Sequence, residues 1–84
     1  MKYCLITFRS VTPAQRGESV LKRAGVACSV RRTPRWMEEQ GCGYSLRVGF
    51  HEVARSMEIL RAGEVAFRKI YLLRENGAAE ELAL

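Results

Sequence analysis

The chain has 84 residues, of which 48% are hydrophobic and 27% are charged. This length allows one domain of roughly 60 to 80 ordered residues, so a multidomain enzyme is excluded. The composition matches neither a disordered chain nor a fibrous repeat. We expect one α+β domain over residues 1–75, followed by a C-terminal tail at 76–84 that is frayed or forms one helical turn.

The sequence contains no apolar run close to the roughly 18 residues that a membrane-spanning helix needs. Residues 1–8 are too short for a signal peptide and precede no small-residue cleavage site. We therefore expect a cytoplasmic protein without membrane partners.

The net charge of +5 lies in the first half of the chain. Residues 1–42 carry eight Lys or Arg against three Glu, whereas residues 43–84 carry six of each sign. A local basic field attracts phosphates, other anions or acidic protein surfaces.

The first half of the sequence predicts a strand, a helix and a second strand. Residues 2–8 are rich in β-branched and aromatic side chains, which favours a strand. Thr12 as N-cap, followed by Pro13 and Gln15, forms a capping-box pattern that predicts the helix start, and Gly25 predicts its end. Apolar residues alternate over 26–30 in the second strand.

The second half predicts the complementary elements. Alternation over residues 44–50 is the clearest strand signal in the chain. A helix follows over 51–62, closed by Gly63, and residues 65–73 form the fourth strand. The order β-α-β-β-α-β predicts a ferredoxin-like two-layer sandwich, with two helices on one face of a four-stranded sheet.

Three cysteines, Cys4, Cys28 and Cys42, are an odd number and contain no Cys-x-x-Cys pair. A disulfide framework and a zinc site are therefore not expected. Cys4 and Cys28 share the alternation of buried strand residues and are expected to be structural. The only histidine, His51, precedes Glu52 and is read as a polar surface residue; its proximity to Cys42 is not set by the spacing.

Residues 32–43 form a connection longer than a hairpin needs, and long connections in compact domains often carry function. Cys42 lies at the end of this connection. A nucleophilic or sulfur-carrying thiol and a small residue that fills a turn are equally open interpretations of its pattern. The residues expected to support a reactive thiol are Gly41, Gly43, Arg32, Pro34 and Arg35.

Guanidinium groups near a thiol favour its thiolate form and lower its pKa. The basic loop before Cys42 is also the predicted docking surface for a partner, through Arg31, Arg32, Arg35 and Trp36. One basic cluster with a single aromatic residue and no RNP-like aromatic pair does not predict nucleic-acid binding.

Short motifs follow one another in an order that resembles a known family. They are Phe8-Arg9-Ser10, Glu18, Leu21-Lys22-Arg23-Ala24-Gly25, Thr33-Pro34-Arg35, Cys42-Gly43 and Leu46-Arg47-Val48. Over about residues 3–73 the chain resembles the small bacterial selenium/sulfur carrier-like proteins, formerly a domain of unknown function. The resemblance implies a sulfur or selenium carrier that holds a persulfide on Cys42. The persulfide would come from a donor such as a cysteine desulfurase and pass to an acceptor protein, without a cofactor.

The alternative is a non-enzymatic adaptor, whose basic half docks an acidic protein or RNA and whose cysteines are structural. A ferredoxin-like fold hosts both kinds of function. The sequence favours a carrier over a stand-alone enzyme, and a homodimer formed through an exposed edge strand is also open.

Overall fold

The protein is α+β, with two helices and a five-stranded antiparallel sheet in the residues that the structure, a computed structural model, describes: 2–33, 43–74 and 78–82. The elements in chain order are β1 (Tyr3–Phe8), α1 (Val11–Arg23), β2 (Cys28–Arg32), β3 (Tyr44–Gly49), a 3-10 turn (Phe50–Glu52), α2 (Val53–Ala62), β4 (Ile70–Leu73) and β5 (Ala79–Leu82). The strand order is β2-β3-β1-β4-β5. Neither helix is long and apolar enough to cross a membrane.

The core lies between the two helices and one face of the sheet. Cys4 of the central strand β1 is in register with Val48 of β3 and Leu72 of β4, and all three are buried. Alternate residues of a strand point to opposite faces, so Ile6 and Phe8 join the same layer. The buried residues of this core are Cys4, Ile6, Phe8, Ala14, Leu21, Val26, Leu46, Val48, Leu60, Val65, Ile70 and Leu72.

Helix α1 begins earlier than the capping-box pattern predicted. Its N-cap is Ser10, so the prediction of Thr12 as N-cap is wrong. Pro13 still falls in the first turn, where its missing N–H removes no intrahelical hydrogen bond. Gly25 ends the helix as predicted, with a φ of +84° that an L side chain rarely adopts.

The sheet has one strand more than the predicted four. In place of a frayed or helical tail, residues 79–82 pair with β4 as β5. Two ion pairs accompany this pairing, between Glu80 and Arg74 at 3.1 Å and between Glu81 and Lys69 at 3.5 Å. The described architecture is therefore the predicted element order through β4, extended by an edge strand.

Candidate functional site

The two ends of the long connection meet at one end of the sheet. The backbone N–H of Thr33 donates to the carbonyl oxygen of Gly43 at 3.1 Å, one step beyond the pairing of Arg32 with Tyr44. Thr33 and Gly43 are both buried. Gly43, the covalent neighbour of Cys42, therefore has a fixed place. The remaining predicted site residues lie outside the described ranges: Pro34, Arg35, Trp36, Gly41 and Cys42.

Helix α1 begins at the same end of the sheet as Gly43. Phe8, the last residue of β1, is in register with Tyr44, and the exposed Arg9 follows it just before the helix. The first turn of α1 contains no acidic residue, and its Ser10 cap makes no side-chain hydrogen bond. The free N–H groups of a helix N-terminus carry a partial positive charge. The described residues therefore make this end of the sheet electropositive.

Arg9 is a basic residue at this end that the spacing around Cys42 does not assign to the site. The position of Arg9 in the Phe8-Arg9-Ser10 motif was the available signal. Arg9 lies at the same end of the sheet as Gly43 because β1 pairs with β3. Alternation predicts each strand but not which strands pair.

The predicted basic cluster is divided between the two faces of the sheet. Arg31 is opposite Ser45, whose hydroxyl donates to the Arg31 carbonyl oxygen at 3.4 Å, whereas Arg32 is opposite Tyr44. Neighbouring strand residues point to opposite faces, so Arg31 lies on the face away from the helices and Arg32 on the helix side. Both side chains are exposed. They do not form one continuous patch.

The two other cysteines lie in environments that disfavour a thiolate. Cys4 is fully buried in the core, and burial raises the pKa of its thiol. Cys28 is half-buried rather than fully buried as expected, because β2 is an edge strand. Burial also raises the pKa of Cys28, the Glu18 carboxylate raises it further, and Lys22 partly offsets these effects. The Cys28 thiol donates weakly to the Glu18 carbonyl oxygen at 3.8 Å.

His51 lies at the opposite end of β3 from Gly43. The six residues of β3 separate them by about 20 Å, at roughly 3.3 Å per residue. His51 is exposed, as predicted. The described residues therefore place no imidazole at the end of the sheet where Gly43 lies, and nothing supports a Cys-His pair.

The family model described as "Putative Se/S carrier protein-like" matches residues 3–72. The chain belongs to this family. The Se/S carrier-like match runs from the start of β1 into β4, and β5 lies beyond it. No curated protein matches the chain.

Proposed function

We propose that this member of the Se/S carrier-like family holds a persulfide on Cys42 and relays it between partner proteins. The observation that carries the proposal is the position of Gly43 at the electropositive end of the sheet. Family membership supports a carrier of sulfur or selenium in general. That Cys42 is the carrier residue, and that it holds the sulfur as a persulfide, is part of the proposal.

The positive charge at this end favours a reactive thiol at the residue next to Gly43. The α1 N-terminus, Arg9 and Arg32 all lie at the end where β1 and β3 pair as Phe8 with Tyr44. Positive charge and helix N-termini stabilise a thiolate relative to a thiol and lower its pKa. A thiolate is the form that attacks a sulfur–sulfur bond.

The other thiols of the chain are poor candidates for the same role. Burial raises the pKa of both Cys4 and Cys28. A raised pKa means a smaller thiolate fraction near neutral pH, and the burial of Cys4 also blocks access by a partner protein. Cys42 remains as the thiol that serves as carrier.

The transfer reaction needs no redox partner. The Cys42 thiolate attacks the terminal sulfur of a donor persulfide, a new sulfur–sulfur bond forms, and the donor's own sulfur–sulfur bond breaks. The donor cysteine leaves as a thiolate and takes up a proton. Handing the sulfur to an acceptor thiol repeats the same exchange in the other direction.

The donor in this proposal is a cysteine desulfurase, and the acceptor is a second thiol protein. Both would contact the surface around the 34–42 connection, with Arg32, Arg35 and Trp36 as the docking residues. Arg31 lies on the face of the sheet opposite to Arg32.

The Cys42→Ser variant tests the carrier against the adaptor hypothesis. A serine hydroxyl forms no sulfur–sulfur bond, so persulfide acceptance is lost, while the free energy of unfolding changes by no more than about 0.5 kcal/mol. The matched control is Cys28→Ser, which keeps transfer. An adaptor predicts instead that Cys42→Ser keeps partner binding and lowers the melting temperature.

A further inference from the structure

A groove of mixed polar and apolar lining runs beside the edge strand β2, at the end of the sheet where β3 leads into the 3-10 turn. Its volume is about 590 Å³, within the roughly 300–1,000 Å³ range of small-molecule sites. The polar side chains of its lining include Tyr3, Ser29, Arg31, Arg47, His51 and Glu52.

Gly49 leaves space in the lining of this groove. It is in register with Tyr3 on the open face and carries no side chain. A Cβ built at Gly49 would contact only the His51 ring, with 3.8 Å to Cε1 and 4.0 Å to Nε2. The imidazole therefore borders the empty space above Gly49.

The Nε of Arg47 has no acceptor in the part of the chain that the structure describes. Its Cζ lies 3.8 Å from the centroid of the Tyr3 ring, and this stacking holds the group against the sheet. Its Nε is buried and has no hydrogen-bond partner among the described residues. A buried donor without an acceptor is costly, and because this Nε has almost no accessible surface, a ligand oxygen satisfies it only when the guanidinium turns toward the groove.

The charge of the groove is suited to an anion. Arg31 and Arg47 line it, and among the lining residues that the structure describes the only carboxylate is Glu52. Its Oε2 lies 3.6 Å from Arg55 Nη1, an ion-pair distance, but this buried oxygen accepts no hydrogen bond among the described residues. The planar fork of arginine is suited to carboxylate and phosphate oxygens, and Ser29 and His51 add further donors.

We propose that this groove binds the phosphate group of a small metabolite or a free phosphate-like oxyanion. Arg47 provides the buried donor, Arg31 and His51 flank the anion, and the missing side chain of Gly49 leaves room for it. Gly49 and His51 lie at the other end of β3 from Gly43, whereas Arg31, in register with Ser45, extends the groove toward the Gly43 end.

The test is a backbone-amide NMR titration of the full chain with inorganic phosphate and, separately, with adenosine monophosphate. Ser29, Arg31, Gly49 and His51 are expected to show saturable shifts. Arg47→Gln should weaken binding by about tenfold or more, as expected for loss of a charge-assisted hydrogen bond. Gly49→Val should block the site sterically, and the control Arg16→Gln, the same charge change on α1, should bind as the parent does.

The two probes distinguish the source of the anion. Tighter binding of the nucleotide identifies a phosphorylated metabolite, and equal binding identifies the free oxyanion. Shifts that do not saturate, or equal affinities for the parent, Arg47→Gln and Gly49→Val proteins, would overturn the proposal. Because Gly49→Val keeps the net charge, it separates a defined site from general attraction to a basic surface.

Discussion

The hydrogen bond from the Thr33 N–H to the Gly43 carbonyl oxygen continues the pairing of β2 with β3 by one step. This hydrogen bond joins the two ends of the connection that contains Cys42 and holds them at one end of the sheet. That point is also where β1 ends and α1 begins, so the chain approaches Cys42 beside a helix N-terminus. The reactivity proposed for the Cys42 thiol depends on this relationship.

We predict that iodoacetamide modifies Cys42 faster than Cys28, and Cys28 faster than Cys4, in the native protein. Cys4 is fully buried and Cys28 half-buried, and burial raises the pKa of both thiols. Peptide mass spectrometry over a time course gives the three rates, and the unfolded protein in guanidinium is the control in which they converge. Faster modification of Cys4 or Cys28 than of Cys42 would contradict the prediction.

Glu18→Gln should lower the pKa of Cys28. The Glu18 carboxylate disfavours the thiolate by repulsion, so its removal moves the alkylation profile of Cys28 to lower pH. Burial remains, and the shift is therefore partial. Glu58→Gln, the same change at an exposed position of α2, should leave the profile in place. Coinciding profiles for Glu18→Gln and the parent would show that the carboxylate does not act on this thiol.

Arg9, Arg32 and Arg35 are expected to hold the pKa of Cys42 below the usual value of about 8.5. Replacing any one of them by Gln removes positive charge, so the alkylation profile of Cys42 should move to higher pH. The control is Arg23→Gln at the other end of α1, about 20 Å away along the 13-residue helix. If the Gln variants of Arg9, Arg32 and Arg35 titrate like the parent and the control, these charges do not act on the sulfur.

Gly17→Ala should destabilise the fold, whereas Gly63→Ala should not. A Cβ at Gly17 would lie 3.0 Å from Leu46 Cδ1 and 3.2 Å from both Leu60 Cδ2 and Phe8 Cζ. Such overpacking costs about 1–3 kcal/mol and outweighs the gain of up to about 1 kcal/mol in helix propensity.

At Gly63 the φ is −85° and the nearest atoms to a built Cβ are at 3.4 Å, so alanine fits. Urea unfolding of the two variants measures both effects. Equal stability of Gly17→Ala and the parent would mean that the three side chains move aside at little cost.

Periodicity predicted the interior of the fold well. The alternation predicted over residues 44–50 matches β3 except at Phe50, which lies in the 3-10 turn and is exposed. Gly25 marked the end of α1 because its positive φ favours glycine. The Thr12 cap was wrong because the helix begins two residues earlier, with Ser10 at the N-cap position, where it makes no side-chain hydrogen bond. Ser10 and Thr12 are both good N-cap residues, and a sequence pattern does not distinguish two helix starts that differ by only one or two residues.

The fifth strand and the division of the arginines could not be predicted from local sequence. The segment Ala79–Leu82 is short and contains two glutamates, which are disfavoured in strands. Its pairing is accompanied by ion pairs to Arg74 and Lys69, which precede it in the chain. Likewise, the faces of Arg31 and Arg32 depend on how far β2 extends along β3. The pattern predicted a strand over residues 26–31, broken at Thr33, whereas β2 spans Cys28–Arg32.

The most direct test of the carrier function is mass spectrometry of the purified protein after incubation with a cysteine desulfurase and cysteine. Our account predicts a gain of about 32 Da on the peptide that contains Cys42, lost on treatment with a reducing thiol and absent in Cys42→Ser. A gain located on Cys4 or Cys28, or one that persists in Cys42→Ser, would contradict it.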